Sequence, residues 1–525
     1  MIALGDDILT TVRERRPLSN ARRFSVLPAV FSVFVFLCGY TLMLGMSGRG
    51  RPRVVQPGSA ETIRADIIDR NGEILAKNTY THDLVMNARQ IGDADAAAAF
   101  VHSVFPEISA ADVLRKIRTN RGYIELRKNI GKENAQKIRA GGIPGLAAVS
   151  KQTREYPKHN SMSHIVGFVY DDGHGAAGVE RAMDVRLASD AEPLRLSIDS
   201  RVQSLMWTEL SAAVRDYKAR AATGVLMNAR TGEIIAAVSL PDFDPEDLGA
   251  YPEGSLRFRL LGDNYEIGSI FKIFNTALAL ENGVPASKKY NVIDPFLVGG
   301  RPIREARGFR PPAKNLSVAQ IMQYSCNSGS AQIALSLPEN AQLNFFRDLR
   351  LNGPIETDFG KTEWPIFPKT NTPVERSRWS FGHGIAATPL HVLLAANAIV
   401  NDGKYIMPTI SRRDYVPETT RVVYVETSKK IRQILFAIGD TSAKLAAMQI
   451  RGLNIGGKTS TAEKPVGGKY SSDRNISAFF VAFPIEAPKW SMLILLDEPG
   501  SFPRTAAHNA VPLAGKILDA AIPLL

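Results

Sequence analysis

From Phe24 to Ser47 the chain carries no charged residue, and the 23 residues from Phe24 to Met46 are its one stretch long and apolar enough to span a bilayer. As a helix they would extend about 34 Å, enough to cross a hydrocarbon core of about 30 Å with some tilt. Arg13, Arg15, Arg16, Arg22 and Arg23 precede the stretch, against Asp6, Asp7 and Glu14, while Arg49, Arg51 and Arg53 follow it. Five flanking arginines against three predict a cytoplasmic tail over residues 1–23 and an anchor over 24–46. A cleaved leader would have a shorter apolar core and a better cleavage site than Gly45-Met46-Ser47. A buried core helix would be amphipathic rather than apolar all round. The 478 residues after Ser47 are therefore expected to be exported and to fold on the far side of the inner (cell) membrane.

Composition limits what that exported part can be. With 45% hydrophobic and 22% charged residues it is ordinary globular sequence, which excludes disorder, collagen and coiled coil. The formal charge of +12 invites an anionic partner such as nucleic acid, a membrane surface or an acidic polymer. No helix-turn-helix, zinc finger or RNP-like run accompanies the charge, so nucleic acid is not expected. The two cysteines, Cys38 and Cys326, fall inside and outside the anchor, which excludes a disulfide scaffold. Eight scattered histidines, without H-E-x-x-H or a Cys pair, imply no metal, and His391 and His508 read as packed or surface residues.

The exported part divides near residue 190, giving expected regions 47–190 and 191–525. Residues 48–60 read as a linker, and Arg64–Ala76 as strand, Asn71-Gly72 turn and strand. Residues 92–140 have a helical pattern ended by Gly141 and Gly142. Gly173-His-Gly175-Ala-Ala-Gly178 is a literal G-x-G-x-x-G between a strand-like His164–Val169 and a helix-like Val179–Leu187, with Asp199 about twenty residues on. Asp171 and Asp172 would set carboxylates beside any phosphate, so a glycine-rich structural loop is the favoured reading. Beyond the boundary, Leu194–Asp199 alternates as a strand, Ser200–Tyr217 is helical, and Gly224–Val238 reads as a hairpin. Strand-like runs at 451–463, 475–485 and 490–497 and an apolar helix at 507–522 follow. The pattern predicts an α/β (α+β) fold, with helices packed on an antiparallel sheet.

The strongest chemical signal is a set of three. Ser269-Ile-Phe-Lys272 opens an apolar helix, Ile270–Leu280, and three residues are nearly one turn, so serine and lysine share a face. A serine hydroxyl needs a base, and a lysine becomes one when burial lowers its pKa. A helix N-terminus also aims N–H groups where an oxyanion would form. Ser325-Cys326-Asn327 follows within a helix-like run, Val318–Leu335, and Gly457-Lys458-Thr459-Ser460-Thr461 lies on a strand-like segment.

Order, spacing and local structure resemble the Ser-x-x-Lys, Ser-x-Asn and Lys-Thr-Gly motifs of penicillin-binding proteins and serine β-lactamases. The chain is identified as a member of the class B penicillin-binding proteins, of the division-specific FtsI type. Arg64–Ala76, Arg154-Glu-Tyr156-Pro157 and Gly175–Glu180 resemble the motifs of the family's pedestal, which reassigns the apparent dinucleotide fingerprint. Thr231-Gly232-Glu233-Ile234, Tyr265–Ser269, Phe381-Gly382-His383-Gly384 and Thr388-Pro389-Leu390 are also family-like.

The resemblance implies a pedestal of the dimerisation type followed by a transpeptidase domain, with no cofactor. It implies that Ser269 is acylated, Lys272 is its base, Ser325 relays a proton to the leaving amine, and Asn327 holds the stem-peptide backbone. Lys458 and Thr459 would bind the terminal carboxylate of a D-Ala-D-Ala donor, and the N–H groups of Ser269 and Thr461 would form the oxyanion hole. Implied partners are peptidoglycan stem peptides, β-lactams, a SEDS-type glycan polymerase met through the anchor, and other division proteins. Three departures stand out. Ser460 occupies the usual glycine of the third motif, where a side chain could crowd the strand beside the nucleophile helix. A hydroxyl-sized residue can fit there, so altered β-lactam affinity rather than loss of activity is expected. Ala65 replaces a usual glycine, and Cys326 offers a thiol that would be modifiable if accessible. The short linker and a pedestal of about 130–150 residues favour septal synthesis over the elongation type. A β-lactam-hydrolysing or sensing protein would need a deacylating carboxylate that the sequence does not point to, and an inert scaffold would not need the intact motifs.

Overall fold

The computed structural model describes residues 64–525 except 120–121, 252–253, 307–308, 368–369, 442–452 and 468. The expected tail, the anchor with Cys38 and the whole linker lie outside the described residues. Among the described residues no helix is long and apolar enough to cross a membrane.

The first region is built on a mixed sheet. Strands β1 (Ile67–Ile68) and β2 (Ile74–Asn87) pair as the predicted hairpin, with Gly72 at φ +94° in the turn. Helices α1 (Ala94–Val104) and α2 (Ala110–Thr119), strand β3 (Tyr123–Arg127), helix α3 (Gly131–Gly141) and strand β4 (Leu146–Glu155) follow. Both β3 and β4 pair antiparallel with β2, and Leu84 and Met86 of β2 pack beneath Val101, Val113 and Ile138 of the helices. The expected helical run 92–140 is thus interrupted by β3, whose five residues Tyr-Ile-Glu-Leu-Arg are too short and too charged to show a period. Strand β5 is only Leu194–Arg195, parallel to β1, not the expected Leu194–Asp199.

The strand expected at His164–Val169 is instead a short helix, Ser163–Val166, and Val169 makes only an isolated bridge to Gly175. Its apolar run is buried on all sides, where periodicity does not separate strand from helix. The glycine-rich loop after it is structural. A Cβ on Gly167, at φ +78°, would lie 1.9 Å from the Ala177 carbonyl oxygen, so two backbones touch here. Glu180 just beyond is fully buried and accepts Arg64 Nε at 2.5 Å and Arg154 Nε at 2.8 Å. Arg64 reaches Asp184 at 2.7 Å, and Arg154 donates to the Ala65 carbonyl at 2.7 Å. Ala65 itself is buried and has no left-handed backbone, so the missing glycine leaves the turn intact.

The second region begins with helix α4 (Ser200–Asp216), capped by Asp199. Asp69 of the β1–β2 turn accepts the Ser200 N–H at 3.0 Å and its hydroxyl at 2.7 Å, fastening the hairpin to that helix start. Strands β6 (Ala221–Asn228) and β7 (Ile234–Leu240) form the predicted hairpin. Then come helices α5 (Phe271–Glu281), α6 (Val318–Gln323), α7 (Asn327–Leu335), α8 (Pro389–Val400) and α9 (Val425–Thr441). Strands β8 (Gly456–Val466), β9 (Lys469–Phe483) and β10 (Trp490–Asp497) and helix α10 (Ala510–Ala521) close the chain. The sheet runs β8-β9-β10-β6-β7, every pair antiparallel.

Strand β10 is buried on both faces. Leu493 and Leu495 join Phe271, Phe274 and the wholly buried helix α8, while Met492 and Ile494 join helices α4 and α10. A strand between two helical layers needs apolar residues in both registers, which is why Met-Leu-Ile-Leu-Leu reads as continuous rather than alternating. The expected helices-on-antiparallel-sheet class is the one observed. The described residues of both regions belong to one compact unit.

The Glu180 cluster yields a prediction. Replacing Glu180 with Gln leaves the buried Arg154 guanidinium without a carboxylate and Arg64 with Asp184 alone, which costs about 3–5 kcal/mol. The melting temperature of the purified variant should fall accordingly; an unchanged melt would show that the cluster does not stabilise the first region.

Candidate active site

Ser269 sits in a single 3-10 turn, Gly268–Ile270, running directly into α5. Gly268 before it takes φ +70°, and a Cβ there would lie 2.7 Å from the Ser460 hydroxyl. The turn is pressed against β8, the edge strand of the sheet, whose outward N–H and C=O groups have no neighbouring strand. Ser269 is half-buried and so open to a substrate.

One turn on, Lys272 is completely buried, and its Nζ stands 3.0 Å from Ser269 Oγ. It also lies 2.6 Å from the Ser325 carbonyl oxygen, 2.7 Å from Asn327 Oδ1 and 3.1 Å from Ser325 Oγ. Two of these four neighbours are acceptors only. A neutral amine has two N–H donors, which the carbonyl and the amide oxygen would occupy, leaving its lone pair for a hydroxyl. Burial pushes Lys272 down to about 8, with the Glu305 charge pulling the other way. A useful fraction of the amine is therefore free base near neutral pH.

The helix expected over Val318–Leu335 is broken where the chemistry lies. Ser325 takes φ +59° between α6 and α7, and that left-handed residue swings its hydroxyl and carbonyl toward Lys272. From the other side Lys458 of β8, only 2% exposed, places Nζ 3.0 Å from Ser325 Oγ and 3.0 Å from the Thr459 carbonyl. Burial, then the nearby charge of Lys272, holds Lys458 well below the usual lysine range. A single hydroxyl thus bridges two buried amines.

Strand alternation sorts the remaining motif residues. Lys458 and Ser460 are buried, Thr459 is half-buried and Thr461 is exposed, with its hydroxyl accepting the Ala506 N–H at 3.0 Å. Any part Thr461 plays at Ser269 thus falls to its main chain. The Ser460 hydroxyl fits against the segment before Ser269, donating to the Ile267 carbonyl and fastening β8 to the turn that carries Ser269. Cys326 is fully buried, and burial pushes its thiol up to about 11, so the condition for a modifiable thiol, accessibility, is not met. His391 is buried in α8, bonded to Thr388 and the Gly353 carbonyl.

Two sets of contacts at the site join residues that no single motif links, although His383 and Glu266 each lie in a family-like run. His383 stacks on Tyr470 at 5.0 Å and meets Phe381 edge-on, and burial, then the Lys272 charge, pushes it down to about 4. Tyr470 in turn donates to Glu266 at 3.0 Å, three residues before the nucleophile. The second set centres on Glu305, whose carboxylate reaches the Ser325–Asn327 turn. Neither lies at a recognisable spacing from its partners in the chain, so only the fold brings them in.

Residues 222–519 match the model of the penicillin-binding protein transpeptidase domain, and residues 59–192 that of the penicillin-binding protein dimerisation domain. The chain is 30% identical over 535 residues to the probable peptidoglycan D,D-transpeptidase FtsI of Caulobacter vibrioides, covering 97% of this chain and 90% of that protein. It is 24% identical over 504 residues to the peptidoglycan D,D-transpeptidase FtsI of Escherichia coli K12, covering 89% and 85%. Its fold is similar to that of penicillin-binding protein 2X from Streptococcus thermophilus, with a TM-score of 0.72 at 18% identity over 88% and 79% of the two chains.

The geometry sets two expectations for acylation of Ser269 by a penicillin. Protonated Lys272 has no lone pair, so the rate should climb as pH rises through about 8 and then level; a rate flat across that region would exclude Lys272 as the base. Gly268→Ala should lower acylation by at least about tenfold, since a Cβ is forbidden there by both φ and the Ser460 hydroxyl; wild-type acylation in this variant would show that the turn yields.

Proposed function

The chain belongs to the penicillin-binding protein family, in its class B branch of the FtsI type, and from that membership we propose that it acts as a serine-type peptidoglycan D,D-transpeptidase in septal wall synthesis and is acylated by β-lactams. The observation that carries the reading is the Ser325 hydroxyl held between Lys272 and Lys458, with Ser269 in contact with the first of them.

In the proposed reaction, neutral Lys272 takes the proton of Ser269 as its Oγ attacks the carbonyl of the penultimate D-Ala. The N–H groups of Ser269 and Thr461 receive the developing oxyanion. Lys458 and Thr459 hold the terminal carboxylate, and Asn327 the peptide backbone. As the C–N bond breaks, Lys272's proton passes through Ser325 Oγ to the departing D-Ala amine, leaving an ester on Ser269. An amine of a second stem peptide then attacks that ester. Its proton returns by the same route to Ser269, and a 4→3-type crosslink is released. A β-lactam stops at the first half, since its leaving nitrogen stays tethered. The assembled proton route supports an active enzyme rather than an inert scaffold. Anchoring through residues 24–46, an extracytoplasmic catalytic region and a SEDS-type polymerase as partner complete the proposal and rest on the sequence.

Membranes carrying the full chain, incubated with a fluorescent penicillin, test it. Wild type should be labelled and Ser269→Ala should not. An unlabelled wild type would defeat the enzyme reading, and a labelled Ser269→Ala would defeat the nucleophile. A fluorescent fusion should collect at midcell; distribution along the side wall would overturn the septal assignment.

A further inference from the structure

Glu305 lies outside all three motifs, 20 residues before Ser325, on the segment following the short strand Arg301–Ile303. It is 8% exposed, and both carboxylate oxygens are engaged. Oε2 accepts the Asn327 N–H at 2.7 Å. Oε1 accepts the Ser328 N–H at 2.8 Å and the Cys326 S–H at 3.1 Å. The neighbouring Arg304 carbonyl accepts Asn327 Nδ2 at 2.9 Å, which leaves Asn327 Oδ1 for Lys272. Two consecutive residues thus grip Asn327 by main chain and side chain, just after the left-handed Ser325.

The carboxylate also answers a charge problem. Lys272 and Lys458 share one hydroxyl in a buried space. The groups acting on Lys272 from surrounding elements are Ser269 on its own segment, Ser325, Cys326 and Asn327 at the start of α7, Lys458 on β8, and His383 and Phe381 on the loop before α8. Among the described residues, Glu305 is the carboxylate that opposes the lysine charge. At the first turn of α7 it also sits where a helix favours an anion.

We propose that Glu305 is a positioning residue for acyl transfer: through Asn327 and Cys326 it holds the Ser325–Asn327 turn against Lys272, and it supplies the negative charge facing that buried lysine. The inference rests on the transpeptidase reading above and deepens it. Its test is the pH profile of acylation by a fluorescent penicillin, measured on the full chain as wild type, Glu305→Gln and Glu305→Asp, with melting temperatures as the check on folding. Glu305→Gln keeps the size but loses the charge, so the plateau rate should fall about tenfold or more and the acid limb should move to lower pH by about half to one unit. Glu305→Asp keeps the charge but is one methylene short, so its rate should fall with the limb unmoved. A limb that stays in place in Glu305→Gln, or moves equally in both variants, overturns the proposal. Should Glu305→Gln not fold, a wild-type rate in Glu305→Asp overturns it instead. Failure of the transpeptidase reading looks different, as an unlabelled wild type or a labelled Ser269→Ala.

Discussion

Two buried lysines reaching for one serine hydroxyl are the constraint around which the catalytic region is arranged. Bringing two ammonium-bearing side chains out of water is strongly unfavourable unless they lose protons or gain partners. Here both occur: the amines are pushed toward the neutral form, and carbonyl and amide oxygens converge on them. The same desolvation that lowers the pKa of Lys272 therefore makes its surroundings demanding. A turn forced into a left-handed residue, an edge strand pressed against a 3-10 turn and a wholly buried helix α8 all serve to keep that space closed.

Strand β8 is an edge of the sheet, and an unpaired strand edge invites association with other strands. In this chain the nucleophile turn covers the edge, and the Ser460 hydroxyl bonds across to Ile267. The serine at this position thus ties the edge strand to the turn that covers it.

How much was legible in the sequence follows from how local each signal is. The β1–β2 and β6–β7 hairpins, α4 and the closing strands were readable because turn residues and periodicity lie within a few residues of one another. All five side chains of the proton network were readable as well, since motif order and spacing survive in one dimension. What escaped was set by tertiary contact. The break between α6 and α7 depends on Glu305 and Lys272 gripping the turn, and β3 exists only because β2 offers it a partner. The burial of Cys326 was not readable for the same reason, because burial is not written in a residue's neighbours along the chain.

Strand order also fixes when the site exists. The sheet places β10 between β9 and β6, so the early hairpin β6–β7 meets its neighbour only after residue 490 has been made. Lys458 and Ser460 arrive almost two hundred residues after Ser269, and α10, which supports the back of the sheet, is nearly the last segment of all. A chain still being synthesised holds the nucleophile and its lysine on one helix but lacks the strand that completes them. Such long-range closure is slow. Any fragment ending before β8 therefore lacks Lys458 and cannot form the hydroxyl shared between two lysines.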